Sequence, residues 1–479
     1  MNHRLHSCGC PGRLPTALTR RDLLQGTATG FGMLALQALM AERTYAGTKP
    51  GAPHFSPKAK NVIFLFMDGG VSHVDSFDPK PMLTTKNGEL VGGKIENVTA
   101  NGANRKWLRC PWTFKQHGQS GAPVSELFPH TAEVVDDLAI IRSMKAEFPL
   151  HSRGNLLIHT GRNLGGSPSL GSWVTYGLGS ENKNLPGFVV LNHNNFVPPG
   201  GMENFSNGYL PASHQATLVE SKGIPIDNLL PADKLARVQR AKLDLLRQQD
   251  SRFSFGLGTS DAVESAIANY ELAYRMQSLV PDVLNLDKES EATKKLYGLD
   301  AHQEPKRLFG LQCLRARRLI EAGVRFVEVC CPNQFGSTGT WDQHGNLKKG
   351  HETNAATTDQ AVAALLRDLK SRGLLNETLV LWSGEFGRTP HSGGNDGRDH
   401  HPEGFTLWLA GGGIKGGTTY GATDELGMHA TENVCTFHDL HATMLHLLGL
   451  DHEQLTYRYG GRDFRLTDVY GRIVKEILA

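Results

Sequence analysis

The run Val62–Met67 in "KNVIFLFMDGG" contains no polar residue and stops abruptly at Asp68-Gly69-Gly70. Six continuous apolar positions leave no solvated face, so the segment has to be covered on both sides, as strands of parallel sheets are. Two later stretches supply the helices that such a sheet needs. "EPKRLFGLQCLRARRLIEAGVRFVEVCCP" reads as a helix, a stop at Gly323 and a strand over Val324–Val329; "TDQAVAALLRDLKSRGLLNETLVLWSGE" repeats that order with Gly373 and Thr378–Trp382. Short strands are expected at Leu138–Arg142, Phe188–Leu191 and in "FTLWLAGGGIKGG". Helices are expected after a Ser125 cap, in "HSRGNLLIHTGR", between Pro231 and Leu279, and in the closing "FHDLHATMLHLLGL" and "LTDVYGRIVKEIL". The alternation predicts an α/β fold with a doubly wound, mostly parallel sheet flanked by helices.

The start of the chain carries an address. Arg20-Arg21 precede Leu23-Leu24 and a weakly apolar stretch from Gly26 to Met40, too short and too polar to span a bilayer. Residues 1–46 therefore read as a twin-arginine signal, which predicts delivery to the periplasm by the twin-arginine export machinery and no stable membrane span in the mature chain. The folded part is expected as a single domain over 55–479, with insertions near 80–123 and a helical stretch near 225–300. A net charge of +2, with Lys and Arg scattered among acids, argues against a nucleic-acid partner. The seven Cys include no CxxC pair, so neither a zinc ribbon nor a thioredoxin-like motif is indicated; they leave room for one disulfide but not for a disulfide scaffold. Cys330 and Cys331 read as buried strand-end thiols.

Polar residues gather where the strands end, which is where open α/β sheets bind ligands. The first strand ends at Asp68. The strand closing at Val329 leads to Asp342 and His344, two apart, a spacing that on extended chain points both to one side and lets them share an ion. The strand closing at Trp382 gives Glu385, and its Gly-rich loop runs on through Arg388 to Asp399, His400 and His401. Each has a plain structural alternative, since an Asp after a strand often caps a turn. Together, carboxylates with imidazoles suit a divalent metal ion, zinc or manganese before calcium.

The segments "MDGGVSHVDSFDPKP", "LQCLRARRLIEAGVRFVEV", "WDQHGN", "GLLNETLVLWSGEFGRTP", "GRDHHPEGFTLWLAGGGIKGG" and "FHDLHATMLHLLGL" resemble the exported bacterial family of domain of unknown function 1501, grouped with the alkaline phosphatase and sulfatase superfamily. The resemblance implies a sulfatase-like fold in which Asp68 matches the first-strand metal-binding Asp. Asp342 and His344 match a metal-holding pair, and His400 or His401 the His that completes it. Glu385 stands where the superfamily has a metal-binding Asp, and Phe386 replaces the neighbouring His. The formylglycine signature Cys-x-Pro-x-Arg is missing, and "FPLHSRGNLLIHTGR" stands in the region of the nucleophile. Ser152 is then the nucleophile candidate, with helix N-capping as its structural alternative; Arg153 or Arg162 is a candidate to clamp a tetrahedral oxyanion, and Arg388 is a further catalytic candidate. The implied activity is metal-dependent hydrolysis of a phosphate or sulfate ester of a small molecule or carbohydrate. The alternative is a catalytically inactive periplasmic binding or assembly protein that keeps the fold and a structural metal.

Overall fold

A computed structural model describes residues 51–92, 104–193, 196–222, 225–226, 235–257, 261–333, 340–394 and 396–479. The twin-arginine segment lies outside these residues. Pro50–Ala479 form one compact unit.

Nine strands make its central sheet: β1 Asn61–Phe66, β2 Leu138–Lys145, β3 Phe188–Asn192, β4 Thr217–Glu220, β5 Phe326–Cys330, β6 Thr378–Ser383, β7 Phe405–Ala410, β8 Thr418–Tyr420 and β9 Cys435–Thr436. The order across the sheet is β8-β2-β7-β6-β1-β5-β3-β4, with β9 paired to the end of β2. Strands β6, β1, β5, β3 and β4 are parallel neighbours, and only β7 runs antiparallel, to both β6 and β2. This is the mostly parallel α/β sheet expected from the apolar runs. The side chains of β1 divide by alternation. Ile63, Leu65 and Met67 enter one core with Leu314, Leu365 and Trp382; Val62, Phe64 and Phe66 enter the other with Leu157, Trp173 and Leu445. Burying both faces is what an unbroken apolar strand requires.

The helices Glu304–Glu321 and Leu347–Ser371 precede β5 and β6 and cover the first core. His151–Thr160 and Phe437–Leu447 cover the second. Gly161 (φ 69°), Gly323 (φ 92°) and Gly373 (φ 74°) follow three of these helices in the left-handed region that glycine tolerates. In the stretch near 225–300, Ala236–Leu257 and Asp261–Leu284 are helical, as is Glu291–Leu296. Among the described residues no helix is long and apolar enough to cross a membrane.

Two expected helices are not formed. Ser125 ends an extended segment paired with Phe114, and the expected helix is reduced to a short α-turn over Pro129–Ala132 and a 3-10 turn over Val135–Asp137. The Asp359 carboxylate accepts from the His130 and Thr131 N–H groups and fixes this short turn against the helix Leu347–Ser371. The final "LTDVYGRIVKEIL" holds only a 3-10 turn at Lys475–Ile477, because Asp468 (φ 49°) and Gly471 (φ 103°) leave helical backbone.

Candidate metal centre

Past the carboxyl ends of β1, β5 and β6, polar side chains close on Asp342. Its Oδ1 lies 3.0 Å from His344 Nε2 and 3.0 Å from His400 Nε2, and it accepts from Arg388 Nη2 at 2.7 Å. Its Oδ2 lies 3.3 Å from His151 Nε2. The Nε2 atoms of His344 and His400 are themselves 3.0 Å apart.

Each imidazole is held from behind through Nδ1. His151 Nδ1 lies 2.6 Å from Glu385 Oε1, His344 Nδ1 lies 2.7 Å from Asp399 Oδ1, and His400 Nδ1 lies 2.6 Å from the Pro149 carbonyl oxygen. All three partners only accept, so the proton belongs on Nδ1 and the Nε2 lone pair faces Asp342. A ring proton given to a carboxylate or carbonyl is the usual support of a metal-ligating histidine. Three lone pairs and a carboxylate turned on one point repel one another unless a cation or protons sit among them. A divalent ion of the kind that takes nitrogen and oxygen ligands satisfies that donor set. His151, Asp342 and His400 place one ligand atom each within 4.8 Å of the others.

In the bare protein, protons carry the compensation. Burial works against a charge on His151, but its contacts with Asp342 and Glu385 raise it to about 9. Asp342 and Asp399 raise His344. Burial lowers His400 to about 4, with the nearby Arg388 and His151 charges acting the same way. The three histidines hold the Asp342 carboxyl far below its ordinary range against the cost of its burial.

Local sequence explains the placement. His151 is the first residue of its helix, and Gly154 one turn on lets that helix lie against Glu385, where an added Cβ would sit 3.1 Å from Glu385 Cγ. Glu385 is fully buried, and the Gly69 N–H donates to both its oxygens at 3.0 Å. Gly70 (φ 82°) completes the turn after β1, and an added Cβ there would meet the Phe386 ring at 2.9 Å. The Phe386 ring packs beside His151 and His400, with centroids 5.1 and 4.8 Å away.

Residues 59–478 match the family described as "Protein of unknown function (DUF1501)". The chain belongs to this family. No curated protein matches it. Among solved structures, this DUF1501 chain is similar to the PsFucS1 sulfatase from Pseudoalteromonas sp., at 13% identity and a TM-score of 0.34 over 88% of this chain and 72% of that chain. It is also similar to the phosphonate monoester hydrolase SpPMH from Silicibacter pomeroyi (10%, 0.35, 81% and 73%) and to alkaline phosphatase from the Antarctic bacterium TAB5 (10%, 0.32, 75% and 92%).

Of the metal candidates read from the sequence of this DUF1501 member, Asp342, His344 and His400 converge directly, and Glu385 reaches the cluster through His151. Asp68 stands to one side: Cys331 Sγ donates to its Oδ1 at 3.1 Å, and its Oδ2 has no hydrogen-bond partner among the described residues. Burial, with Glu385 nearby, raises its carboxyl to about 7. His401 points away because successive residues of an extended pair face opposite sides, and its Nε2 donates to the Met428 carbonyl at 2.7 Å.

The catalytic candidates are more dispersed. Arg388 is fully buried at the cluster, donating to Asp342 and to the Gly69, Gly70 and Arg398 carbonyls. Ser152 is exposed in the first helical turn, and Arg153 lies over the Phe148 ring at 5.1 Å. Arg162 lies past the far end of that helix, paired with Asp468 at 3.0 Å. His151 is the residue that sequence reasoning passed over in favour of its neighbour Ser152. Its signal was present: a histidine opening the helix in the region of the expected nucleophile.

Proposed function

We propose that this chain is an exported, metal-dependent hydrolase of phosphate or sulfate esters. The observation that carries the reading is the set of three imidazoles, each locked through Nδ1, with Nε2 turned on the Asp342 carboxylate. His151, Asp342, His344 and His400 would hold the ion. When bound there, a divalent ion polarises an ester oxygen and lowers the pKa of a water, the chemistry of metal-assisted hydrolysis.

The chain's own groups do the remaining work. Glu385 and Asp399 keep protons on the Nδ1 atoms of His151 and His344. Arg388 ties the turn after β1 to Asp342 and is spent on that task. His151 at the helix start and the outward position of Ser152 favour attack by water over a serine nucleophile. Phe386 fills the space beside His151 and His400 with hydrocarbon, which supports one tightly held ion rather than two. The export reading rests on Arg20-Arg21 and the apolar stretch behind them.

A panel of aryl phosphate, phosphodiester and sulfate esters, assayed on the mature chain loaded with zinc or manganese, tests this reading. Metal uptake with no turnover on any ester overturns the hydrolase and leaves the periplasmic binding or assembly protein. Phe386 and the fully committed Arg388 are the observations that favour that second reading.

A further inference from the structure

His344 is the exposed member of the cluster: its side chain is 42% exposed, against 8% for His151, Asp342 and His400. A ligand on the solvent side has little packing to fix its ring, so its orientation has to come from hydrogen bonds. Asp399 supplies one and is itself clamped. Its Oδ1 lies 2.7 Å from His344 Nδ1, while its Oδ2 is ion-paired with Arg105 Nη1. Arg105 is almost wholly buried and also donates to His391 Nδ1 at 3.2 Å. The Asp399 backbone is pinned in turn: its N–H donates to Thr389 Oγ1 at 3.0 Å, and the Thr389 N–H donates to its carbonyl at 2.9 Å. The loop carrying His344 is tied to the same segment, because the Arg398 N–H donates to the Gln343 carbonyl at 3.0 Å.

We propose that Asp399, backed by Arg105, is a positioning residue that fixes His344 as its Nδ1–H tautomer and aims Nε2 at the ion. The proposal rests on the metal reading of the site and adds to it how the exposed ligand is held. With Arg105 on Oδ2 and His344 on Oδ1, both carboxylate oxygens are engaged, and Arg105 keeps Asp399 from turning away from the ring. Two of the three imidazoles are then backed by a carboxylate, His151 by Glu385 and His344 by Asp399, and only the second pair stands near solvent.

The test uses the full mature chain and zinc alone. Zinc affinity is measured by chelator competition for wild type, Asp399→Asn, Arg105→Gln and Arg105→Lys, and imidazole tautomers are read by nitrogen-15 correlation spectra of the metal-free proteins at alkaline pH, where the His344 ring is neutral. Asp399→Asn is expected to weaken zinc binding by about 10- to 100-fold, the usual effect of losing such a support. It is also expected to mix the His344 tautomers while leaving those of His400 unchanged. Arg105→Gln is expected to act in the same direction and more weakly, with Arg105→Lys restoring most of the affinity. Thermal melts identify a variant that fails to fold; if Asp399→Asn does, the two Arg105 variants carry the same readouts. A zinc-binding wild type whose affinity and His344 tautomer ignore these substitutions overturns the positioning role. A wild type that binds no zinc overturns the metal reading itself, and one that binds zinc but cleaves no ester overturns only the hydrolase.

Discussion

His344 Nε2 and His400 Nε2 face each other at 3.0 Å, with Asp342 Oδ1 3.0 Å from each. While both rings are neutral, neither imidazole can donate to the other, because its one proton is held at Nδ1 from behind. The contact therefore makes chemical sense as two ligands of one ion.

His151 should behave as a ligand and not as a spectator. Replacing it with Ala removes a donor and leaves buried Glu385 without its imidazole. Zinc affinity is expected to fall at least about 10-fold, and stability by about 1–3 kcal/mol. Chelator competition and urea unfolding of the same preparation check both. Ser152→Ala, by contrast, should leave ester turnover within about twofold of wild type.

The loop bearing His344 passes so close to Gly397 that an added Cβ would lie 2.0 Å from the His344 carbonyl carbon. Gly397→Ala must push that backbone away. The expected result is weaker zinc binding than wild type with the spectra of His151 and His400 little changed, read by nitrogen-15 correlation of the histidine rings.

Phe386 acts as a wall for two imidazoles. It is 1% exposed, so Phe386→Ala opens a cavity and should cost about 3–5 kcal/mol in urea unfolding. Metal stoichiometry should remain one ion per chain, because hydrocarbon and not a ligand has been removed.

The pair Asp75–Arg398 links the turn after β1 to the metal loop, with both side chains wholly buried and Arg398 Nε donating to Asp75 Oδ2 at 2.6 Å. Burial works to raise the Asp75 carboxyl, but Arg398 and the Ser72 hydroxyl pull it below its ordinary value of 3.8. The folded value is thus the lower one, so the stabilisation is complete above about pH 4 and is lost as pH falls through the folded value. Asp75→Asn should cost about 3–5 kcal/mol near pH 7 by leaving Arg398 unpaired. The gap between variant and wild type should narrow below about pH 4, as measured by urea midpoints across pH.

What could be read from the sequence follows from where the physics is local. Val62–Met67 announced a strand covered on both faces because burial on two sides forbids polar residues. Asp342, His344 and His400 stood out because strand ends are where the chain turns to solvent and carries its chemistry. His151 was visible as a histidine opening its helix, but its aim at the cluster was not, since that depends on Gly154 letting the helix close on Glu385, a contact between segments far apart in the chain. Choosing between His400 and His401 needed the pairing of Gly387–Arg388 with His400–His401, which sets the facing of each ring. The closing helix failed for a local reason visible only in the backbone, the positive φ at Asp468 and Gly471.

The central claim is that His151, Asp342, His344 and His400 hold one divalent ion. Its most direct test is a zinc titration of the metal-free mature chain beside Asp342→Asn, with stoichiometry and affinity read by chelator competition. The account predicts one ion per wild-type chain and a loss of affinity of at least about 100-fold in the variant, since Asp342 touches every other member of the cluster. Equal affinity in the two proteins, or no bound ion in wild type, would contradict it.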